Sequence, residues 1–250
     1  MADSCDELFS RNELFWGKTA QGVLAKKHVA VFGLGGVGGF CAEALARSGV
    51  GELTIVDFDC VSTSNINRQL VALHSTVGKN KVELFRQRLV DINPNLKLNL
   101  INDFYTEDNY DISADFVADA IDTMRSKISL LVSCVNKNIP VISSMGAGNR
   151  IDPSQLYICD ISEIENKNAP FVSNIIYQLK KRNILNGIPV VVSREKPFCI
   201  EKRSEIEQVK LADGELLEFT KITPASTPFV ASCAGIFMAS YIVRKFLENS

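Results

Sequence analysis

Through Ser144 the chain alternates short apolar runs, rich in β-branched residues, with longer stretches whose apolar positions recur at helical spacing. Val29–Phe32, Thr54–Val56, Leu96–Ile101, Phe116–Ile121 and Pro140–Ser144 read as buried strands. Phe40–Ser48 reads as a helix that Gly49 ends, Gly78–Ile92 as a charged amphipathic helix stopped at Asn93-Pro94, and Met124–Asn138 as a third helix. Strands alternating with helices predict an α/β fold: a Rossmann-like, doubly wound, mostly parallel sheet with its ligand at the carboxyl ends of the strands.

After Gly146-Ala147-Gly148 the pattern loosens. A strand is expected at Leu156–Asp160, a helix within Phe171–Ile184, and a strand at Pro189–Ser193. A polar, charged stretch from Arg194 to Asp213 follows, then a short strand near Leu216–Thr220. A soft boundary near residue 150 would separate a 1–150 core with an N-terminal helix from a smaller 151–250 α/β extension. The apolar stretch Phe229–Val243 is shorter than the roughly 18 to 20 residues of a membrane span and contains Ser232 and Ser240, so it reads as a buried helix with no membrane partner. Its small residues, among them Ala231, Ala234, Gly235 and Ala239, permit close packing either on the sheet or on a second subunit.

Composition narrows the class. The 250 residues are 46% apolar, enough for a substantial core, and carry 27 Lys and Arg against 29 Asp and Glu. That balance announces no polyanionic partner, so nucleic-acid binding has to be argued from local features. The acidic start Met1–Glu7 lacks the basic and apolar regions of a secretory signal. Seven cysteines, Cys5, Cys41, Cys60, Cys134, Cys159, Cys199 and Cys233, form no Cys-x-x-Cys pair, which disfavours a disulfide framework or a structural zinc and predicts a reducing cytoplasm.

The chemistry sits at predicted strand ends. Gly33, Gly35 and Gly38 satisfy a dinucleotide fingerprint: the first allows the turn, the second lets backbone amides approach phosphate, the third packs helix on strand. Gly36 keeps a further amide open. Asp57 follows at the spacing of an acid that accepts from ribose hydroxyls, in NAD enzymes as well as here. Asp59 either joins Asp57 in holding a hydrated cation or is a solvated loop carboxylate. Arg68, within Ser64-Asn65-Ile66-Asn67-Arg68-Gln69, has no role in hydride transfer, whereas its planar guanidinium suits phosphate oxygens. Lys81 adds a point charge at a helix start. Together these residues point to ATP rather than NAD. Asp122 is placed to bind Mg²⁺ across the phosphates of a departing pyrophosphate or to cap the helix from Met124, with Asp119 the lesser ligand. Asn65 and Thr123 complete the expected nucleotide-binding set.

Gly33–Gly38, Asp57-Phe58-Asp59, Asn65-Ile66-Asn67-Arg68-Gln69, Val77-Gly78-Lys79-Asn80-Lys81 and Asp119-Ala120-Ile121-Asp122 resemble the adenylating domain of ubiquitin-activating-type enzymes and their bacterial relatives. Arg11–Gly17, Ala44–Gly51, Ser143–Pro153 and Phe229–Gly235 are similar to the tRNA threonylcarbamoyladenosine dehydratases of that superfamily. This resemblance implies ATP and Mg²⁺ as cofactors, a tRNA bearing threonylcarbamoyladenosine as substrate, and an acyl-adenylate on the way to the cyclic, dehydrated product. By it, residues 1–150 are the adenylating core, and 151–250 hold the tRNA contacts and a closing or dimer helix. It implies Arg68, Lys81 and Asp122 as catalytic residues, with Asp122 on the metal. It also implies a homodimer in which Arg11 serves the partner subunit's site, and a cysteine desulfurase or sulfur-acceptor system as a further partner. The alternatives are an adenylyltransferase for a ubiquitin-like sulfur carrier and a nonenzymatic nucleotide-binding scaffold.

The segment Ala169–Tyr177 lacks the Cys-Pro and the extra arginines of related dehydratases, which weakens the expectation of a tRNA contact through this helix. Lys180, Lys181, Arg182, Arg194, Lys196, Lys202 and Arg203 either form a phosphate-binding surface or a solvated face, since Glu195, Glu201, Glu205 and Glu207 are interleaved with them. Cys233, in an apolar helix, is expected to pack rather than react.

Overall fold

In the computed structural model the described residues are 7–106, 110–165, 167, 169–201, 203–210 and 216–248, with the backbone alone described over 203–210 and 216–223. The acidic start at residues 1–6 and the cation Lys202 lie outside them. A kinked helix α1 (Ser10–Leu24) leads into β1 (His28–Phe32), α2 (Gly38–Arg47), β2 (Glu52–Val56), α3 (Lys81–Ile92), β3 (Lys97–Ile101), β4 (Phe116–Asp119), α4 (Met124–Asn136) and β5 (Val141–Ser144). Then come β6 (Leu156–Asp160), α5 (Pro170–Lys180), β7 (Pro189–Ser193), a hairpin of β8 (Arg203–Lys210) and β9 (Leu216–Thr223), and α6 (Pro228–Leu247).

Seven strands form one sheet in the order β3-β2-β1-β4-β5-β7-β6, parallel except for the antiparallel pair β6 and β7. Strands β6 and β7 thus extend the sheet begun by the first half of the chain. The strand order reverses between β1 and β4, which opens a crevice at their carboxyl ends. Alternation along the strands splits the core into two layers. Val29 and Val31 of β1 pack with α2, α3 and α6, whereas Ala30 and Phe32 face Leu130 and Leu131 of α4 and Val172, Ile175 and Leu179 of α5.

Three readings need correction. Helix α3 starts at Lys81, not Gly78, because Gly78 is left-handed (φ 84°) and Asn80 caps the helix by accepting from the Val82 and Glu83 amides. The polar stretch after Arg194 contains the strand β8, paired in antiparallel register with β9. The closing helix is 20 residues long, so by length and composition it could cross a membrane. Packing decides its role: Val230, Ala231, Ala234, Met238, Ala239 and Ile242 are buried in the core. A Cβ at Gly235 would lie 2.2 Å from the Val37 carbonyl, so the small-residue face is pressed onto the start of α2 within the chain.

Candidate active site

The β1 to α2 turn builds the floor of the site. Gly33 is left-handed (φ 85°), and a Cβ there would meet the Ala120 carbonyl at 2.8 Å. Gly38 lets α2 close on that turn, since its Cβ would stand 1.7 Å from the Gly33 carbonyl. The turn opens into a cavity of about 350 Å³ at the carboxyl ends of β1, β2 and β4. Gly33, Gly35, Gly36, Asp57, Asp59, Asn65, Arg68, Lys81, Asp122 and Thr123 all line it. Of the expected set, Gly38 sits behind the turn as a packing residue, and Arg11 lies exposed on α1, outside the cavity.

Asp57 is buried and already engaged: Oδ2 accepts from the Leu34 amide at 2.6 Å and Oδ1 from the Asp59 amide at 2.8 Å. The carboxylate therefore braces the glycine turn, and a ribose contact would use its remaining lone pairs. Burial pushes its carboxyl above the usual range, against the pull of nearby Lys81 and the two amides. Lys81 is itself buried and bonds Asp59 Oδ2 at 2.7 Å, with Asp57 Oδ1 at 3.8 Å. Asp59 is thus not a free loop carboxylate, and Lys81 stands beside both it and Asp57.

Arg68 stands on the turn after β2, where its guanidinium donates to the Ser64 carbonyl (2.9 Å) and to Asn67 Oδ1 (2.8 Å). Burial lowers its pKa, and the Asp122 carboxylate opposes that change. Asn65 Oδ1 accepts from the Ser62 amide and shapes the same turn. Asp122 is exposed in the cavity, and Thr123, not Asp122, occupies the N-cap of α4. That removes the capping alternative and leaves the Asp122 carboxylate open toward a ligand. Gln69, quoted in the sequence motif without a role, lines the cavity, and its buried Oε1 has no hydrogen-bond partner among the described residues.

Sequence reasoning missed two supports. Beneath the β4 to α4 turn, Lys127 Nζ meets Asp119 Oδ2 at 2.6 Å, both side chains fully buried, and Ser143 Oγ bonds the same oxygen at 2.6 Å. Asp119 Oδ1 takes the Ile121 amide at 3.1 Å, which fixes the turn bearing Asp122. Asp119 is therefore structural rather than a metal ligand. The second support carries the opposite wall, formed by Ala147, Gly148, Pro224 and Ser226. Buried Arg150 donates to the carbonyls of Gly146 (2.9 Å) and Gly148 (3.0 Å). Asn149, left-handed at φ 60°, exchanges hydrogen bonds with Ala225, and Asn67 Nδ2 donates to the Ser226 carbonyl. Asp103, Phe104 and Tyr105, just past β3, also line the cavity, and the strand-end rule could have found them.

This arrangement matches a known family over most of the chain: residues 9–238 match the ThiF family. The chain belongs to the ThiF family, in its tRNA threonylcarbamoyladenosine dehydratase branch. A Bacillus subtilis tRNA threonylcarbamoyladenosine dehydratase is 43% identical over 245 residues, covering 96% of this chain and 95% of that protein. The crystal structure of the Escherichia coli tRNA N6-threonylcarbamoyladenosine dehydratase, TcdA, in complex with AMP superposes with a TM-score of 0.85 at 29% identity, covering 99% of this chain and 97% of that one. Its complex with ATP gives 0.84 at 28% identity over the same shares. An Escherichia coli molybdopterin-synthase adenylyltransferase is 36% identical over 53% of each chain. Within the ThiF family this chain thus stands nearer the dehydratases than that adenylyltransferase.

Proposed function

We propose that this protein is an ATP-dependent tRNA threonylcarbamoyladenosine dehydratase. The reading is carried by the meeting of the glycine turn, Arg68, Lys81 and Asp122 in one cavity of a chain that is 43% identical to such a dehydratase over 96% of its length. The threonine carboxylate of the modified adenosine attacks the α-phosphorus of ATP; an acyl-adenylate forms and pyrophosphate leaves. The ureido oxygen of the same substrate then attacks the acyl carbon, the C–O bond to AMP breaks, and a ring one water lighter remains. Arg68 and Lys81 offset the charge that builds on the departing pyrophosphate. The second step is intramolecular, so the pocket has only to hold the reacting atoms together and exclude water.

Among the described residues, Asp57, Asp59, Asp103 and Asp122 face the cavity against only two cations, Arg68 and Lys81. A polyanionic triphosphate fits such a lining with a divalent cation, and a single open carboxylate plus phosphate oxygens is the donor set Mg²⁺ prefers. Asp122 would hold that Mg²⁺, which would screen the phosphates. The orphaned Gln69 Oε1 offers an acceptor to a nucleotide hydroxyl or amino group. Asn65 and Thr123 complete the nucleotide's surroundings. Residues 1–150 act as the adenylating core and 151–250 as the tRNA-contacting extension, in the cytoplasm. Arg11, too far out to serve its own cavity, acts in a homodimer on the partner's site; its exposed neighbours Leu14 and Phe15 support an interface at α1.

Incubation with ATP, Mg²⁺ and tRNA from a strain lacking the activity, followed by nucleoside mass analysis, tests the reading. Threonylcarbamoyladenosine should become a species one water lighter, with AMP rather than ADP released. An unchanged nucleoside beside adenylation of a carrier protein ending in Gly-Gly would replace it with the adenylyltransferase.

A further inference from the structure

The two helices on one face of the sheet, α4 and α5, contain no Asp or Glu, and neither do the residues just beyond them up to Ile188. Arg125, Lys180, Lys181 and Arg182 are exposed there, and none forms an ion pair among the described residues. The opposite face is built otherwise: on α2 and α3, Arg47 and Arg88 both pair with Glu43, and Arg86 pairs with Glu83. In a chain whose acids outnumber its bases, two helices with unpaired exposed cations and no carboxylate of their own, the nearest being Asp122 before α4 and Asp111 on Lys137 after it, form a local electropositive stripe.

That stripe has shape as well as charge. A groove of about 490 Å³ runs between α4 and α5, lined by Arg125, Ser129, Asn174, Gln178 and Arg182 among others. Its near end is the first turn of α4, where Met124 and Arg125 face the groove while Thr123 and Ser126 face the nucleotide cavity. One turn of helix is thus the shared wall of both. Arg182 is steadied by donating to the Gln178 carbonyl and to Gln178 Oε1. Beside it Lys181 Nζ lies 4.4 Å above the half-exposed Tyr177 ring, an aromatic surface next to a cation.

We propose that the α4/α5 groove seats the phosphodiester backbone of the tRNA strand adjoining the modified adenosine. The inference rests on the tRNA reading above and names where that substrate lies. A nucleotide whose side chain reacts in the cavity must pass its flanking phosphates over the cavity rim, and the rim at α4 leads directly to Arg125. Arg125 and Arg182 take phosphate oxygens along the groove, and Ser129, Asn174 and Gln178 offer hydrogen bonds to ribose 2′-hydroxyls. Tyr177 gives an unpaired base a stacking face. The weak cationic content of the Ala169–Tyr177 segment is made good by α4 and by the end of α5.

The test compares wild type with the double variants Arg125→Glu/Arg182→Glu and Lys180→Glu/Lys181→Glu, using tRNA from the strain lacking the activity and a salt series. Arg86→Glu on α3 serves as a charge control on the far face. The Arg125/Arg182 variant should raise the Kd for tRNA by about 10-fold or more and flatten the log Kd against log salt plot by about 1.5, two phosphate contacts at roughly 0.7 to 0.9 each, and the Lys180/Lys181 variant, beside the groove, should move both in the same direction by less. Kd for ATP should stay as in wild type, and Arg86→Glu should change neither. Unaltered tRNA affinity in the groove variants, or an equal loss in Arg86→Glu, overturns the proposal. If wild type itself leaves the nucleoside unchanged, the dehydratase reading fails first; if wild type converts it and the groove variants convert it with the same KM for tRNA, only the groove is wrong.

Discussion

The two walls of the nucleotide cavity are made in different ways. On one side stand charged side chains, Arg68 and Asp122 on loops that follow β2 and β4 and Lys81 at the first residue of α3. On the other side Ala147, Gly148, Pro224 and Ser226 present little but backbone and small groups, held by Arg150, Asn149 and Asn67 from behind. The first wall can lose Arg68 or Asp122 and keep its shape, whereas Lys81 also holds Asp57 and Asp59. The second wall has no charge to lose, and its residues matter through the geometry they enforce. Chemistry and shape are therefore separable by mutation in this molecule.

The largest effect is expected at the charged wall. Arg68→Ala should lower AMP formation by about 10³-fold or more, the scale of an arginine acting on phosphoryl-transfer charge. Asp122→Ala should act in the same direction. Both positions are partly exposed and carry no core packing, so urea unfolding should shift little. Turnover near wild type in either variant would remove that residue from the site and leave the comparison without its chemical half.

Next in size is the joint that serves both walls. Lys127 and Asp119 neutralise each other with no exposure, and Ser143 ties the pair to β5, which runs on into the opposite wall. Lys127→Met strands a buried carboxylate, so unfolding free energy should fall by about 3 to 5 kcal/mol. Adding Asp119→Asn to that variant should restore part of the loss, because no uncompensated charge remains. A single variant that costs less than about 1 kcal/mol would show that the pair does not hold the turn.

Arg150→Ala should sharpen the contrast from the other side. It leaves the Gly146 and Gly148 carbonyls without their donor and should cost about 2 kcal/mol of stability. Its kinetic mark should be a raised KM for ATP with a lesser change in kcat, the opposite split from Arg68→Ala. Arg150→Lys should not restore the wild type, since Nη1 holds the two glycine carbonyls while Nε reaches the Glu195 carbonyl at 3.4 Å, and an ammonium has no second nitrogen for that contact. A pure kcat loss in steady-state AMP release would instead place Arg150 among the charge-bearing residues.

The same division decides what could be read from the sequence. Strands β1, β2, β4 and β5 are buried on both faces, so their continuous apolar runs stand out, and the phosphate-side residues occur in short motifs beside them. The hairpin strand β8, Arg-Ser-Glu-Ile-Glu-Gln-Val-Lys, pairs among the described residues with β9 alone, and its sequence holds no continuous apolar run to mark it. The Arg150 clamp and the Asp119–Lys127–Ser143 joint depend on contacts across many residues of chain, which periodicity does not carry. Even Asp57 was visible as an acid at a strand end while its brace on the Leu34 amide was not.

The smallest predicted effect lies at the opposite edge of the sheet and separates stability from the site altogether. His28 opens β1, with Nε2 2.8 Å from Thr54 Oγ1 and 3.9 Å from Glu52 Oε1. Burial lowers its pKa below the ordinary 6.5, Lys97 adding to that and Glu52 and Asp115 opposing it. The folded state therefore resists protonation more than the unfolded chain does. Its contribution to stability is complete above about pH 6.5 and is lost as pH falls through the lower folded value. Urea unfolding of wild type and His28→Gln between pH 7 and pH 5 should show wild type losing more stability than the variant on acidification, with kcat and KM at pH 7 alike in the two proteins. Parallel stability curves would mean that His28 titrates no differently in the fold, whereas altered kinetics would tie the amino edge of the sheet to the cavity at its other end.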